Sequence, residues 1–152
     1  MKLDDIVGYR LDMARCAMLR SIHRLLDPSG FRPADTTALL MIRENPGCDQ
    51  TELGRALAGN RSVGMKVASR LEKRGLLVRG EGRDRRSKGL HITPKGETVL
   101  AELLAVHAEA ERRLATGLEP GERGLLLALL NKIEQTVLDE EAEPAAPARE
   151  TT

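Results

Sequence analysis

A chain of 152 residues with a net charge of +1, one Tyr, one Phe, no Trp and two Cys is long enough for one domain with an aliphatic core. It has too few cysteines for a disulfide framework or a zinc cluster, no run of about 18 apolar residues to span a membrane and no secretory leader pattern. A cytoplasmic protein with Cys16 and Cys48 as free thiols is expected.

Residues 3–26 carry Ile6, Met13, Ala17 and Leu25 in a helical pattern that stops at the turn Asp27, Pro28, Ser29, Gly30. A second helix is expected over 33–44, with Leu39, Leu40 and Ile42 on its core face and Asn45, Pro46 and Gly47 ending it. From Asp49 the sequence DQTELGRALAGNRSVGMKVASRLEKRGLL gives two short helical patterns around a glycine-containing turn at 58–60, the helix-turn-helix arrangement. Asp49 and Glu52 have capping-box spacing, so the first of these helices starts there and is expected to bury Leu53, Ala56 and Leu57. In the second, Gly64, Val67, Ala68 and Leu71 form the inward face, and Arg61, Ser62, Met65, Lys66, Ser69 and Lys73 the outward one. Short polar groups and cations on one helix face suit a major groove, where Lys and Arg reach guanine O6 and N7 or the flanking phosphates. Gly75 then ends the helix as a C-cap.

Two short strands, expected over 76–79 and 90–93, flank the glycine-rich connection GEGRDRRSKG, in which Gly80, Gly82 and Gly89 permit turn and bulge geometry. Its tip places Arg83, Arg85, Arg86 and Lys88 around a single acid, Asp84, and repels itself unless a polyanion lies opposite. Near-neutrality of the whole chain hides this. Between Arg61 and Lys95 eleven Lys and Arg stand against three acids, a net of +8, which leaves −7 for the remainder.

After the hairpin, Pro94 occupies the first turn of a helix reaching about residue 117, where its missing N–H costs nothing. A last helix over 119–139 holds Leu125, Leu126, Leu127, Leu129, Leu130, Ile133 and Val137, and the segment from 140, ending EAEPAAPARETT, is expected to be a disordered tail. Residues 1–30 and 97–139 carry apolar positions on more than one face, which a 65-residue unit cannot cover; pairing with a second copy would. His23, His91 and His107 are isolated, no metal spacing, phosphate loop or catalytic arrangement stands out, and neither cofactor nor enzyme activity is expected.

The stretch RLEKRGLLVRGEGRDRRSKGLHITPKG resembles the MarR family of winged-helix transcriptional regulators: a leucine–glutamate pair, a Gly-Leu step into the wing, an Asp-x-Arg wing motif and a Leu-x-x-Thr-x-x-Gly exit. The resemblance covers residues 32–96 and, by pattern, the flanking helices. It implies a mainly α fold with a small β-hairpin wing (α+β), a winged helix-turn-helix at 31–96 between dimerisation helices at 1–30 and 97–139. It also implies a homodimer bound to double-stranded DNA at an inverted-repeat operator, more often a repressor than an activator. Within the wing, Asp84 would orient Arg86, and Arg86 would reach into the minor groove, with Arg85 a lesser contact. Similar proteins bind small aromatic or phenolic anions between the dimer helices and the winged-helix unit, and Arg15, Arg20 and His23 are the cations placed to meet such an effector. A peroxide-sensing branch of the family uses a cysteine near the start of the first helix, a position that falls nearer Gly8 than Cys16. A redox-sensing regulator and a winged-helix module for protein association are the alternatives.

Overall fold

The computed structural model describes residues 2–83 and 88–142, with side chains described up to residue 139. The expectations for Asp84, Arg85 and Arg86 and for the tail beyond residue 142 lie outside the described residues. A short 3-10 turn, Leu3–Asp5, leads into α1 (Val7–Leu26), and a second one, Asp27–Ser29, separates it from α2 (Pro33–Glu44). The chain continues with α3 (Gln50–Ala56), α4 (Arg61–Lys73), β1 (Leu77–Glu81), β2 (Lys88–Ile92), α5 (Pro94–Ala115) and α6 (Glu122–Ala142). Two compact units divide between Glu111 and Arg112, within α5.

The first unit has an aliphatic core. Leu26, Leu39, Ile42, Leu53, Leu71, Leu76, Leu77, Leu90 and Leu100 are fully buried, so the end of α1, all of α2 to β2 and the start of α5 meet in one cluster. Local signals set the element ends. The Asp49 carboxylate accepts from the Thr51 and Glu52 amides at 2.7 and 2.8 Å, and Glu52 returns the bond to the Asp49 amide at 2.8 Å, the reciprocal cap expected at this spacing. Asn60 caps α4 through the Ser62 and Val63 amides. At the other end Gly75 sits at φ 73°, and the Gly75 and Leu76 amides bond back to Glu72 and Leu71, a Schellman closure. Thr93 caps α5 by accepting from the Gly96 amide, with Pro94 next in line.

Helices α3 and α4 cross backbone to backbone. A Cβ on Gly64 would lie 2.1 Å from the Gln50 carbonyl oxygen, and one on Gly54 would lie 2.2 Å from that of Asn60. Gly64, Val67, Ala68 and Leu71 are buried as expected, and so is Leu53. Ala56, expected in the core, is exposed, and Leu57 is only half-buried. The reason is the same crossing: α3 lies on α4 through Leu53 and Gly54, which turns Ala56 to solvent. In the turn itself the left-handed residue is Ala58, at φ 51°, rather than the neighbouring glycine.

The hairpin also departs from expectation. Its strands lie closer to the tip, with Leu77 opposite Ile92, Gly80 opposite Gly89 and Glu81 opposite Lys88. Leu76 is taken by the Schellman closure, and Gly80 and Gly89 serve as paired strand residues rather than turn residues. An isolated bridge from Cys48 to Leu90 adds a third backbone segment at the hairpin root.

Asp35, only 1% exposed, is the one fully buried acid among the described residues. It accepts from the Arg32 amide at 2.9 Å and forms an ion pair with Arg70 of α4, which ties α2 to α4. In the second unit α6 has no buried residue among those whose side chains are described. Leu125, Leu126, Leu127, Leu129, Ile133, Val137 and Leu138 are all exposed in the single chain. The helix runs to Ala142, three residues beyond its expected end and into the segment expected to be disordered.

Two stability predictions follow from this packing. Alanine is the better helix former by about 1 kcal/mol, but a methyl group at Gly64 meets backbone that cannot yield, and overpacking of that kind costs on the order of 1–3 kcal/mol or more. Gly64→Ala is therefore expected to lower the urea midpoint, and an unchanged or raised midpoint would show that α3 and α4 can part without cost. Asp35→Ala leaves the Arg32 amide and the partly exposed Arg70 guanidinium without their acceptor, so calorimetry is expected to show a loss of about 1–3 kcal/mol.

Candidate nucleic-acid interface

Burial of one side of α4 decides what the other side offers. With Gly64, Val67, Ala68 and Leu71 turned inward, Arg61, Ser62, Met65, Lys66 and Lys73 are exposed together along the outer face. Ser69, expected with them, is half-buried and accepts from Arg79 Nη2 at 3.4 Å. Arg79 also donates to Glu72 at 3.0 Å, so one strand residue braces β1 against α4.

Where the N-termini of α3 and α4 approach the hairpin, Asp49, Gln50, Thr51, Arg61, Arg79 and Lys88 line an open, mainly polar recess. Its three cations come from three elements, α4, β1 and β2. Asp49 stands among them, with its carboxylate taken up by the Thr51 and Glu52 amides at the start of α3. Gln50, Thr51 and Arg79 were not singled out in the sequence. The first two had a signal, since they follow the Asp49 cap and must stand at a helix N-terminus. Arg79 had none, because its place in an expected strand does not reveal that it meets Ser69 and Glu72 of α4.

The wing residues separate. Lys88 is exposed at the start of β2. Arg83 is instead engaged within the chain: Nη1 donates to Glu52 Oε1 at 2.8 Å and Nη2 to Asn45 Oδ1 at 3.3 Å. Asp84, Arg85 and Arg86 lie outside the described residues. His91 places Nε2 2.8 Å from the Glu81 carbonyl oxygen, across the hairpin.

Along α1, Arg15, Arg20 and His23 are exposed. Arg15 is held by Asp12 at 2.8 Å, an interaction that raises its pKa chiefly through that hydrogen bond. At about 100° per residue, His23 lies between the other two around the helix, about 60° from Arg20 and about 80° from Arg15. Cys16 is partly exposed with Arg15 Nη2 3.9 Å from its sulfur, whereas Cys48 is fully buried, and burial, followed by the charge of Glu52, pushes its thiol pKa up. A raised pKa suppresses the thiolate and with it the nucleophile. Among the described residues no three His, Cys, Asp or Glu side chains gather as metal ligands, and no helix is long and apolar enough to cross a membrane.

Residues 29–87 match the MarR family. Over 129 residues the chain is 33% identical to the putative transcriptional regulatory protein for the hcr operon of Thauera aromatica, a span of 84% of this chain and 78% of that one. The structure of a transcriptional repressor, CouR, bound to a 23-mer DNA duplex superposes with a TM-score of 0.79 at 34% identity, covering 87% of this chain and 94% of that chain. CouR bound to p-coumaroyl-CoA superposes at 0.77 with 32% identity over the same shares. These matches take in the helix-turn-helix, the wing and the flanking helices, and the chain belongs to the MarR family of winged-helix transcriptional regulators.

Proposed function

We propose that this chain is a homodimeric transcriptional repressor that binds an inverted-repeat operator in double-stranded DNA, with α4 in the major groove and the wing against the minor groove. The observation that carries this is the exposed outer face of α4, Arg61, Ser62, Met65, Lys66 and Lys73, continuous with the recess that Arg61, Arg79 and Lys88 line. Lys66 and Met65 stand at the middle of that face and reach base edges, while Arg61, Lys73 and Lys88 neutralise phosphates. The Asp84 and Arg86 pair of the wing motif reads groove width through the minor groove. The duplex-bound relative at 34% identity supports the same assignment.

Dimerisation is supported by the apolar surface of single-chain α6 and by Leu3, Val7 and Met13 near the N-terminus, all exposed. Removing such surface from water yields roughly 25 cal/mol per Å². Residues 1–30 and 97–139 form the dimer interface, and residues 31–96 the DNA-binding unit. A two-fold pair presents two copies of α4 about one duplex turn apart, so the operator is palindromic. Occlusion of a promoter by such a dimer is repression.

Release by a small anionic effector is the regulatory half of the proposal, supported by the relative solved with p-coumaroyl-CoA. The effector acts by favouring one spacing of the two α4 helices over the other. On α1, Arg20 and His23 are the cations it meets, with Arg15 beyond them.

Selection of binding sites from random duplexes with the purified protein tests the whole assignment. An inverted repeat with half-site centres about 10 base pairs apart is the expected product; sequences without two-fold symmetry, or no salt-sensitive binding at all, would refute it. On the selected duplex Lys66→Ala is expected to weaken binding by about 1–3 kcal/mol with the dimer intact by light scattering. Unchanged affinity would remove the α4 face from the interface.

A further inference from the structure

The wing meets the helix-turn-helix at a second place, away from the Arg79 brace. The Gly47 amide donates to the Leu90 carbonyl at 3.0 Å and the Leu90 amide to the Cys48 carbonyl at 2.9 Å, so the segment entering α3 runs as a short third strand along β2. The approach is close enough that a Cβ on Gly89 would lie 2.6 Å from Gly47 Cα. Beside this backbone seam Arg83, two residues past the end of β1, donates to Glu52 and Asn45. Glu52 is already engaged: its other oxygen caps α3 through the Asp49 amide. One carboxylate thus joins the start of α3 to the wing.

We propose that Arg83 is a positioning residue: through Glu52 and Asn45 it fixes the wing relative to α3, and so to the DNA-reading face of α4, and does not itself contact DNA. The inference rests on the DNA-binding function proposed above. An ion pair with side chains 49% and 35% exposed adds little to global stability. Its effect is on direction, since the alternative for a long flexible cation at the hairpin is many rotamers and no side-chain tie between the end of β1 and α3.

Glu52→Gln separates positioning from direct contact because the two give opposite signs. Glutamine keeps one acceptor oxygen for the Asp49 amide but faces Arg83 with an NH₂ group, so the cap survives and the tie is lost. The substitution also removes a negative charge near the interface. If Arg83 bound phosphate directly, freeing it and adding positive charge would tighten binding; if Glu52 positions it, binding weakens despite the favourable charge. Fluorescence anisotropy with the full-length protein and its selected duplex, well below the melting temperature, is expected to show Glu52→Gln and Arg83→Ala each weakening affinity roughly five- to tenfold, with the double variant no worse than either. Tighter binding by Glu52→Gln, or additive losses in the double variant, would overturn the inference. So would unchanged affinity accompanied only by a lower melting temperature, which is the outcome for a purely structural ion pair. Failure of the unsubstituted protein to bind any duplex at low ionic strength would instead refute the DNA-binding function itself.

Discussion

The presentation of α4 depends on two peptide backbones touching where α3 and α4 cross. At Gly54 and Gly64 there is no room for a side chain, so α3 and α4 meet backbone to backbone there, with no soft side-chain layer at those points to adjust. Because α3 is only seven residues long, its own hydrogen bonds cannot hold it; the Asp49 cap and this contact do. The outward face of α4 is a consequence. Every residue that packs inward lies on the side that meets α2 and α3, and what remains is cationic and polar apart from Val63 and Met65.

Positive charge in this part of the chain is divided between two tasks. Arg70, Arg79 and Arg83 are spent inside the molecule, on Asp35, on Glu72 and on Glu52, and Arg74 lies over the Phe31 ring at 3.5 Å. Arg61, Lys66, Lys73 and Lys88 remain at the surface. Two units of the +8 counted along residues 61–95 are therefore answered from outside that segment, by Asp35 and Glu52. The segment is still positive after that subtraction, by +6 rather than +8. Arginines serve as braces because a guanidinium can bond two acceptors at once, as Arg83 does with Glu52 and Asn45.

Much of the architecture was legible from short-range signals. The Asp49 and Glu52 cap, the glycine after α4 and the proline opening α5 each involve partners within about four residues, so the sequence carries both halves of the interaction. The inward face of α4 was legible for the same reason, since helical periodicity sorts sides without knowledge of a partner. Ala56 was misplaced because its side of α3 is decided by α4, not by α3's own pattern. The strands were misplaced by up to two residues because glycines that read as turn formers are paired across the ladder.

By itself the amino-acid order determined the family resemblance, the limits of α2 and the starts of α4 and α5, the basic helix and hairpin, and the aliphatic core. Tertiary structure alone decided which cations are free. Arg70 finds Asp35 across 35 residues, and Arg83 finds Glu52 across 31 and Asn45 across 38. The physical reason is reach: a cap or an apolar stripe is closed within one or two helical turns, whereas the partner of a long charged side chain is whatever the packed fold brings within about 3 Å of its tip.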